Sequence, residues 1–228
     1  KFLKKIADRK KLKLLTTHSS NSDLELVSHK YHNDQQILKV KLKNNKKIIS
    51  FNLNLIGKFQ IKNVLMALLA ATKSGITLNS SAKYMTMLKP VDGRLENIGK
   101  LKDKSKVLLD YAHTPDALNT ILIGVKEQFP FAKIRLLFGC GGDRDKTKRS
   151  IMGKIASKFA DVIYLTDDNP RFENPKKIRN EIKKGIKCKN LIEISNRKKA
   201  INYCINDLRS GEIAIIAGKG HEKTQEYD

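Results

Sequence analysis

Tryptophan is absent from the 228 residues, and cysteine and proline are scarce, at three and five. Cys140, Cys188 and Cys204 are odd in number and include no C-x-x-C pair. Neither a disulfide framework nor a zinc site is suggested, which fits a reducing cytoplasm. No apolar run approaches the roughly 20 residues needed to span a bilayer, and the basic start KFLKKIADRKK is followed by no signal-peptide core. A cytoplasmic protein without a membrane partner is expected. The chain begins with Lys1 and stops just after GKGHEKTQEYD, which reads as a piece of a longer protein.

Acidic residues are also few, 23 Asp plus Glu against 46 Lys plus Arg, for a formal net charge of +23. Such a balance invites a nucleic-acid reading. Only 9 of the 46 basic residues are arginine, the side chain whose bidentate fork reads bases, and the lysines are spread along the chain rather than set between stacking aromatics. The lysines therefore read as solvated faces, and no nucleic-acid partner is expected. A lysine-rich nucleic-acid-binding module remains the rival of a different class. What is plentiful is apolar sequence: 40% of the residues, gathered into short runs that a chain of this length can bury.

Residues 1–56 read as β-rich: KLKLLTTH, then DLELVSHKYH, then ILKVKLKNNKKIISFNLNL, whose alternating halves meet at Asn44-Asn45 as in a hairpin. After Gly57 the period changes. Val64, Leu65, Leu68, Leu69 and Thr72 fall at helical spacing with Gly75 as a stop, and a second helix is expected over Ser80–Leu88. Pro90 and Gly93 break the pattern, a basic stretch of Lys100, Lys102, Lys104 and Lys106 follows, and a domain boundary is placed near residue 90, giving domains 1–90 and 91–228. From residue 106 onward strand and helix alternate: VLLDY, helix 115–128, IRLLFG, helix 148–159, VIYLT, helix 175–184, LIEIS, helix 196–208 and IAIIAG. Continuous apolar strands alternating with amphipathic helices predict an α/β fold, a mainly parallel Rossmann-like sheet covered on both faces. Thr114-Pro115 and Asn174-Pro175 place a capping side chain before a first-turn proline, and Gly185 stands where a C-terminal glycine would.

Ligands of open α/β sheets bind outside the carboxyl ends of the strands, and four of the five strands here deliver a polar cluster to that edge. VLLDY runs into Asp110 and AHTPD, IRLLFG into CGGDRDK, VIYLT into DDNPR, and IAIIAG into KGHE. Each cluster alone has a plainer reading. FGCGGDRDK fits neither the Walker loop nor the dinucleotide fingerprint. Asp167-Asp168-Asn169-Pro170 is also turn chemistry, His113 alone suits a structural histidine, and the glycines of Gly218-Lys219-Gly220 also suit a sharp strand exit.

Taken in order in one βα array, DYAHTPDAL, FGCGGDRDK, DNPR and the terminal GKGHE resemble the C-terminal part of the Mur ligases, in the tripeptide-forming branch that adds meso-diaminopimelate. LIGKFQIKNVLMALLAA resembles the end of that family's central ATPase domain, and GRLE its interdomain hinge. The resemblance implies an ATP-dependent amide-forming ligase of peptidoglycan synthesis, monomeric, whose partners are ATP, a UDP-muramoyl dipeptide and meso-diaminopimelate. It implies Gln60 and Asn63 against the adenine, with Gln60 at a position that is usually Asn, and Arg94, Asp110 and His113 toward phosphates and ribose. It also implies Asn169 and the Gly218 backbone on the distal head of the amino acid, flanked by Asp168 and Pro170. Arg171 would grip the distal carboxylate, Glu222 the ammonium, and Arg144 the carboxylate beside the reacting amine. The phosphate loop, the magnesium ligands and the carbamylated lysine belong to the half of the central domain that these residues do not include. No metal ligand or catalytic residue is therefore assigned here, and the 228 residues alone are expected to be inactive. A related ligase such as a folylpolyglutamate synthetase is the rival within the superfamily.

Overall fold

The computed structural model describes residues 2–100, 104–187 and 190–227; Lys102 and Cys188 lie outside them. Contacts divide the chain into two units, Lys1–Lys89 and Pro90–Asp228.

The first unit runs α1 (Phe2–Arg9), β1 (Thr17–His18), β2 (Leu24–His32), β3 (Gln35–Leu42), β4 (Ile49–Leu53), α2 (Phe59–Lys73), α3 (Leu78–Lys83) and a 3-10 turn at Met85–Met87. Its sheet has the order β1-β2-β3-β4, with β2, β3 and β4 antiparallel neighbours. The turn at Asn44-Asn45 joins β3 to β4, where Asn45 N donates to Leu42 O at 3.0 Å. Leu38 and Val40 of β3 and Phe51 and Leu53 of β4 alternate inward and meet Ile61, Val64, Leu65, Leu68 and Leu69 of α2 in one core. Two expectations are corrected. The basic start folds as α1, which buries only Ala7, and KLKLLTTH contributes only Thr17–His18 to the sheet, with a single further backbone bond from Leu24 N to Thr16 O at 3.2 Å, while Leu12 and Leu14 before it stay exposed. The second helix begins two residues earlier than its pattern suggested. Thr77 caps it by accepting from Ser80 N at 3.2 Å, and its tail tightens into the 3-10 turn.

The second unit runs β5 (Arg94–Lys100), β6 (Lys106–Asp110), α4 (Pro115–Gln128), β7 (Ile134–Phe138), α5 (Thr147–Phe159), β8 (Val162–Leu165), α6 (Pro175–Lys183), β9 (Leu191–Glu193), α7 (Arg197–Asn206) and β10 (Ile213–Ala217). The sheet order is β5-β6-β10-β7-β8-β9, parallel throughout except for β5. This is the α/β architecture that the alternating runs predicted. Every residue of β7 and β10 is buried, as strands covered on both faces must be. The edge strand β5 was not foreseen: irregular register between Arg94 and Glu96 and again between Asn97 and Gly99 interrupts the two-residue period by which a strand is recognised. Thr114 and Asn174 cap α4 and α6 through Ala117 N and Lys177 N. Gly185 serves a different purpose from a left-handed cap. A Cβ there would lie 1.8 Å from Ser150 O, so glycine is what lets the end of α6 approach α5. Among the described residues, no helix is long and apolar enough to cross a membrane.

Candidate active site

In the second unit β6, β10, β7 and β8 are consecutive, so the loops that follow them emerge side by side at one edge. The loop after β7 packs directly on the loop after β8. Gly142 N donates to Asn169 O at 2.8 Å, and a Cβ on Gly142 would sit 1.8 Å from Pro170 O. The glycines of CGGDRDK are therefore explained by loop packing, in keeping with the failure of that run to match either nucleotide fingerprint.

Asn169 and Glu222 meet around Lys219. The Lys219 ammonium is 2.6 Å from Asn169 Oδ1 and 2.9 Å from Glu222 Oε2, and Asn169 Nδ2 reaches Glu222 at 3.4 Å. Burial alone would raise the Glu222 carboxyl. The Lys219 hydrogen bond and charge, with donors from Tyr111 and Asn169, outweigh it and hold the group below the usual carboxylate range. The Tyr111 hydroxyl is shifted up, chiefly by its hydrogen bond to Glu222. Asp168 is buried and accepts from Asn169 N at 2.8 Å. Gly218 N donates to Asp110 O at 3.0 Å, joining the ends of β10 and β6.

Arg171 has a left-handed backbone, φ 51°. Its Nη1 donates to Gly142 O at 2.9 Å and its Nε lies 2.8 Å from Glu226 Oε2. Glu173, two residues after Arg171, pairs with Arg149. Arg144 is exposed and has no hydrogen bond or ion pair with any described residue.

The residues expected near phosphate and ribose separate by environment. Arg94 lies over the Tyr111 ring at 5.0 Å, and Tyr111 stacks with His221 at 5.9 Å and meets His113 edge-on at 4.8 Å. His113 is exposed; its Nδ1 is 2.9 Å from Tyr111 O and carries the proton, since a carbonyl only accepts. Asp110 is 4% exposed, with Oδ2 accepting from Leu95 N at 2.8 Å and Oδ1 from Ala112 N at 2.7 Å. Burial raises its carboxyl despite those two amides. The geometry thus gives Asp110 a loop-shaping role that the resemblance did not imply. In the first unit, Asn63 Nδ2 donates to Gln60 Oε1 at 3.2 Å on the first turn of α2, with Gln60 buried and Asn63 exposed.

Arg197 was not singled out in the sequence. Its guanidinium is buried at the start of α7, where Nη2 donates to Ala217 O at 2.9 Å and Nη1 to Asp167 O at 3.5 Å, tying the ends of β10 and β8. Burial lowers its affinity for the proton, and Asp168 and Glu222 oppose that shift. A cation in the first turn of a helix is disfavoured by the helix dipole, but Lys198 and Lys199 share that position, so the sequence does not mark Arg197.

A family model described as "Mur ligase, glutamate ligase domain" matches residues 93–220. The chain belongs to the Mur ligase family. It is similar to the UDP-N-acetylmuramoyl-L-alanyl-D-glutamate--2,6-diaminopimelate ligase of Rickettsia typhi, 48% identical over 180 residues that cover 78% of this chain and 36% of the relative. The Rhizobium meliloti ligase of the same name is 45% identical over 178 residues, covering 78% and 36%. A solved structure of a ligase of that name matches with TM-score 0.70 and 32% identity over 98% of this chain and 46% of the other. This Mur ligase chain therefore spans about a third of the length of the curated relatives it matches.

Proposed function

We propose that the chain forms the amino-acid-binding part of an ATP-dependent ligase that joins meso-diaminopimelate to UDP-N-acetylmuramoyl-L-alanyl-D-glutamate. The observation that carries the proposal is the meeting of DNPR and GKGHE in one cluster: Asn169, Lys219 and Glu222 in mutual contact, with Arg171 in the same loop after β8 joined to Asn169 through Glu226. The relatives at 45–48% identity are named for that reaction.

ATP phosphorylates the terminal carboxylate of the muramoyl dipeptide, the resulting acyl phosphate is attacked by the amine of the incoming amino acid, and phosphate leaves. The residues of this chain hold the amine's carrier in place. Arg171 takes the distal carboxylate, for which a guanidinium fork is suited. Glu222 takes the distal ammonium in exchange for the Lys219 ammonium that it holds in this structure. Asn169 and the Gly218 backbone bond the same distal head, and Arg144, unpaired among the described residues, takes the carboxylate next to the reacting amine. Fixing the nucleophile in line in this way supplies the proximity part of catalysis. In the first unit Gln60 and Asn63 are proposed to contact the adenine, and in the second unit Arg94 and His113 the phosphates and ribose, with Asp110 shaping the loop that carries His113. Among the described residues no group of three or more His, Cys, Asp or Glu side chains could hold a metal ion, and no step is assigned to magnesium here.

The test is ATP-dependent formation of the UDP-muramoyl tripeptide by the full-length protein carrying this chain. Product with meso-diaminopimelate supports the proposal. Turnover with glutamate on a folate acceptor instead would replace it with the folylpolyglutamate reading.

A further inference from the structure

Arg171, the proposed grip for a substrate carboxylate, already holds a carboxylate from its own chain. Glu226 Oε2 sits 2.8 Å from Arg171 Nε, and Nη1 is used by Gly142 O at 2.9 Å. A guanidinium offers bidentate geometry along its Nε edge or its terminal edge, so Glu226 takes one of the two.

The backbone beneath Glu226 is fixed without help from its side chain. Glu226 N donates to Asn169 Oδ1 at 3.0 Å, and Arg171 N donates to Glu226 O at 3.4 Å. On either side, Gln225 Nε2 donates to Asp168 O at 2.5 Å and the Tyr227 hydroxyl to Asp167 Oδ2 at 3.1 Å. The segment thus lies across the loop after β8 like a strap. The Glu226 side chain itself is 56% exposed, against 23% for Arg171. Rotation about its own bonds carries the carboxylate into water while the strap stays in place.

We propose that Glu226 is a specificity-determining residue, an internal stand-in for the substrate's distal carboxylate that must be displaced when diaminopimelate binds. The proposal rests on the reading of Arg171 given above. Binding of diaminopimelate then exchanges one carboxylate on Arg171 for another and gains only the difference. Lysine lacks the distal carboxylate and leaves Arg171 paired with Glu226, so it escapes the penalty of a stranded cation. Glu226 therefore weakens diaminopimelate binding and narrows the discrimination against lysine.

The experiment measures steady-state kinetics of the full-length enzyme and its Glu226→Gln variant with meso-diaminopimelate and with lysine, at saturating ATP and UDP-muramoyl dipeptide. Glutamine keeps the size and the backbone contacts but removes the charge, and thermal midpoints verify that the variant folds. The expected result is a diaminopimelate KM lowered roughly two- to fivefold, the range of an exposed ion pair, with kcat not raised and the lysine KM not lowered. In an Arg171→Ala background the same substitution is expected to have no effect, because the two side chains act as one pair. An unchanged or higher diaminopimelate KM in Glu226→Gln, in an enzyme that uses diaminopimelate and is impaired by Arg171→Ala, overturns this proposal alone. Failure to use diaminopimelate, or indifference to Arg171→Ala, overturns the underlying reading and this proposal with it.

Discussion

Arg149 is wholly buried and holds Glu173 in a two-point pair, Nη2 to Oε1 at 2.8 Å and Nη1 to Oε2 at 3.0 Å. The same guanidinium reaches Glu181 at 2.6 Å and Gly141 O at 3.2 Å, while Glu173 also accepts from Asp143 N at 2.7 Å. One arginine on α5 therefore fastens α6 and the loops after β7 and β8, which carry Arg144 and Arg171.

Arg149→Met should cost about 3 kcal/mol, because it removes the buried cation shared by Glu173 and Glu181 and leaves Glu173 only the exposed Lys146 as a cation, at 3.5 Å. Urea unfolding of the variant measures this. A loss below about 1 kcal/mol, in the range of exposed ion pairs, would mean that the pair is peripheral.

The same pair sets an acid limit. Hydrogen bonds from Arg149 pull the Glu173 carboxyl down to about 2 against the opposing effect of burial, with further help from Asp143 N and from the Arg149 and Lys146 charges. A carboxyl whose folded pKa lies below its unfolded value stabilises the fold fully above the unfolded value of about 4.5, and that stability is lost as pH falls toward 2. Urea midpoints taken at falling pH across that window should drop more steeply for the wild type than for Glu173→Gln. Parallel curves would contradict the assignment.

Gly142→Ala should open the seam between the loops after β7 and β8, since the new methyl would fall 1.8 Å from Pro170 O, a backbone atom that cannot rotate away. The expected outcome is a loss of about 1–3 kcal/mol of stability with a raised KM for the amino acid. A variant of normal stability and normal KM would show that the seam is more pliable than its geometry implies.

Much of this architecture was legible in the sequence because it depends on local chemistry. The apolar runs of β6, β7, β8 and β10 and the caps Thr114 and Asn174 are patterns within a few residues. The polar clusters could be placed at one edge because a parallel sheet carries every strand end the same way. What escaped depends on partners far apart in the chain. Arg149 reaches Glu173 and Glu181, 24 and 32 residues away, and Arg197 reaches Ala217 O, 20 residues away, so spacing marks neither. The occupation of Arg171 by Glu226, and not by the nearby Glu173, likewise follows from the crossing of the strap and cannot be read from sequence distance.

Asp110 shows how a motif residue can change its reading. Both of its oxygens satisfy buried amides, of Leu95 and Ala112. Asp110→Ala should therefore cost about 1–3 kcal/mol by stranding those donors, with little change in the KM for ATP. Calorimetry together with ATP kinetics checks this, and a variant of unchanged thermal midpoint but raised ATP KM would restore the ribose contact.

Amino-acid selectivity is where Arg171 would act. Full-length enzyme, wild type and Arg171→Ala, should be compared for kcat/KM with meso-diaminopimelate and with lysine. The wild type is predicted to prefer diaminopimelate by roughly tenfold, a margin kept small because Glu226 leaves Arg171 paired when lysine is bound. Arg171→Ala should lose most of that preference through a higher diaminopimelate KM. A wild type that uses both amino acids alike, or an Arg171→Ala variant with its preference intact, would contradict the account.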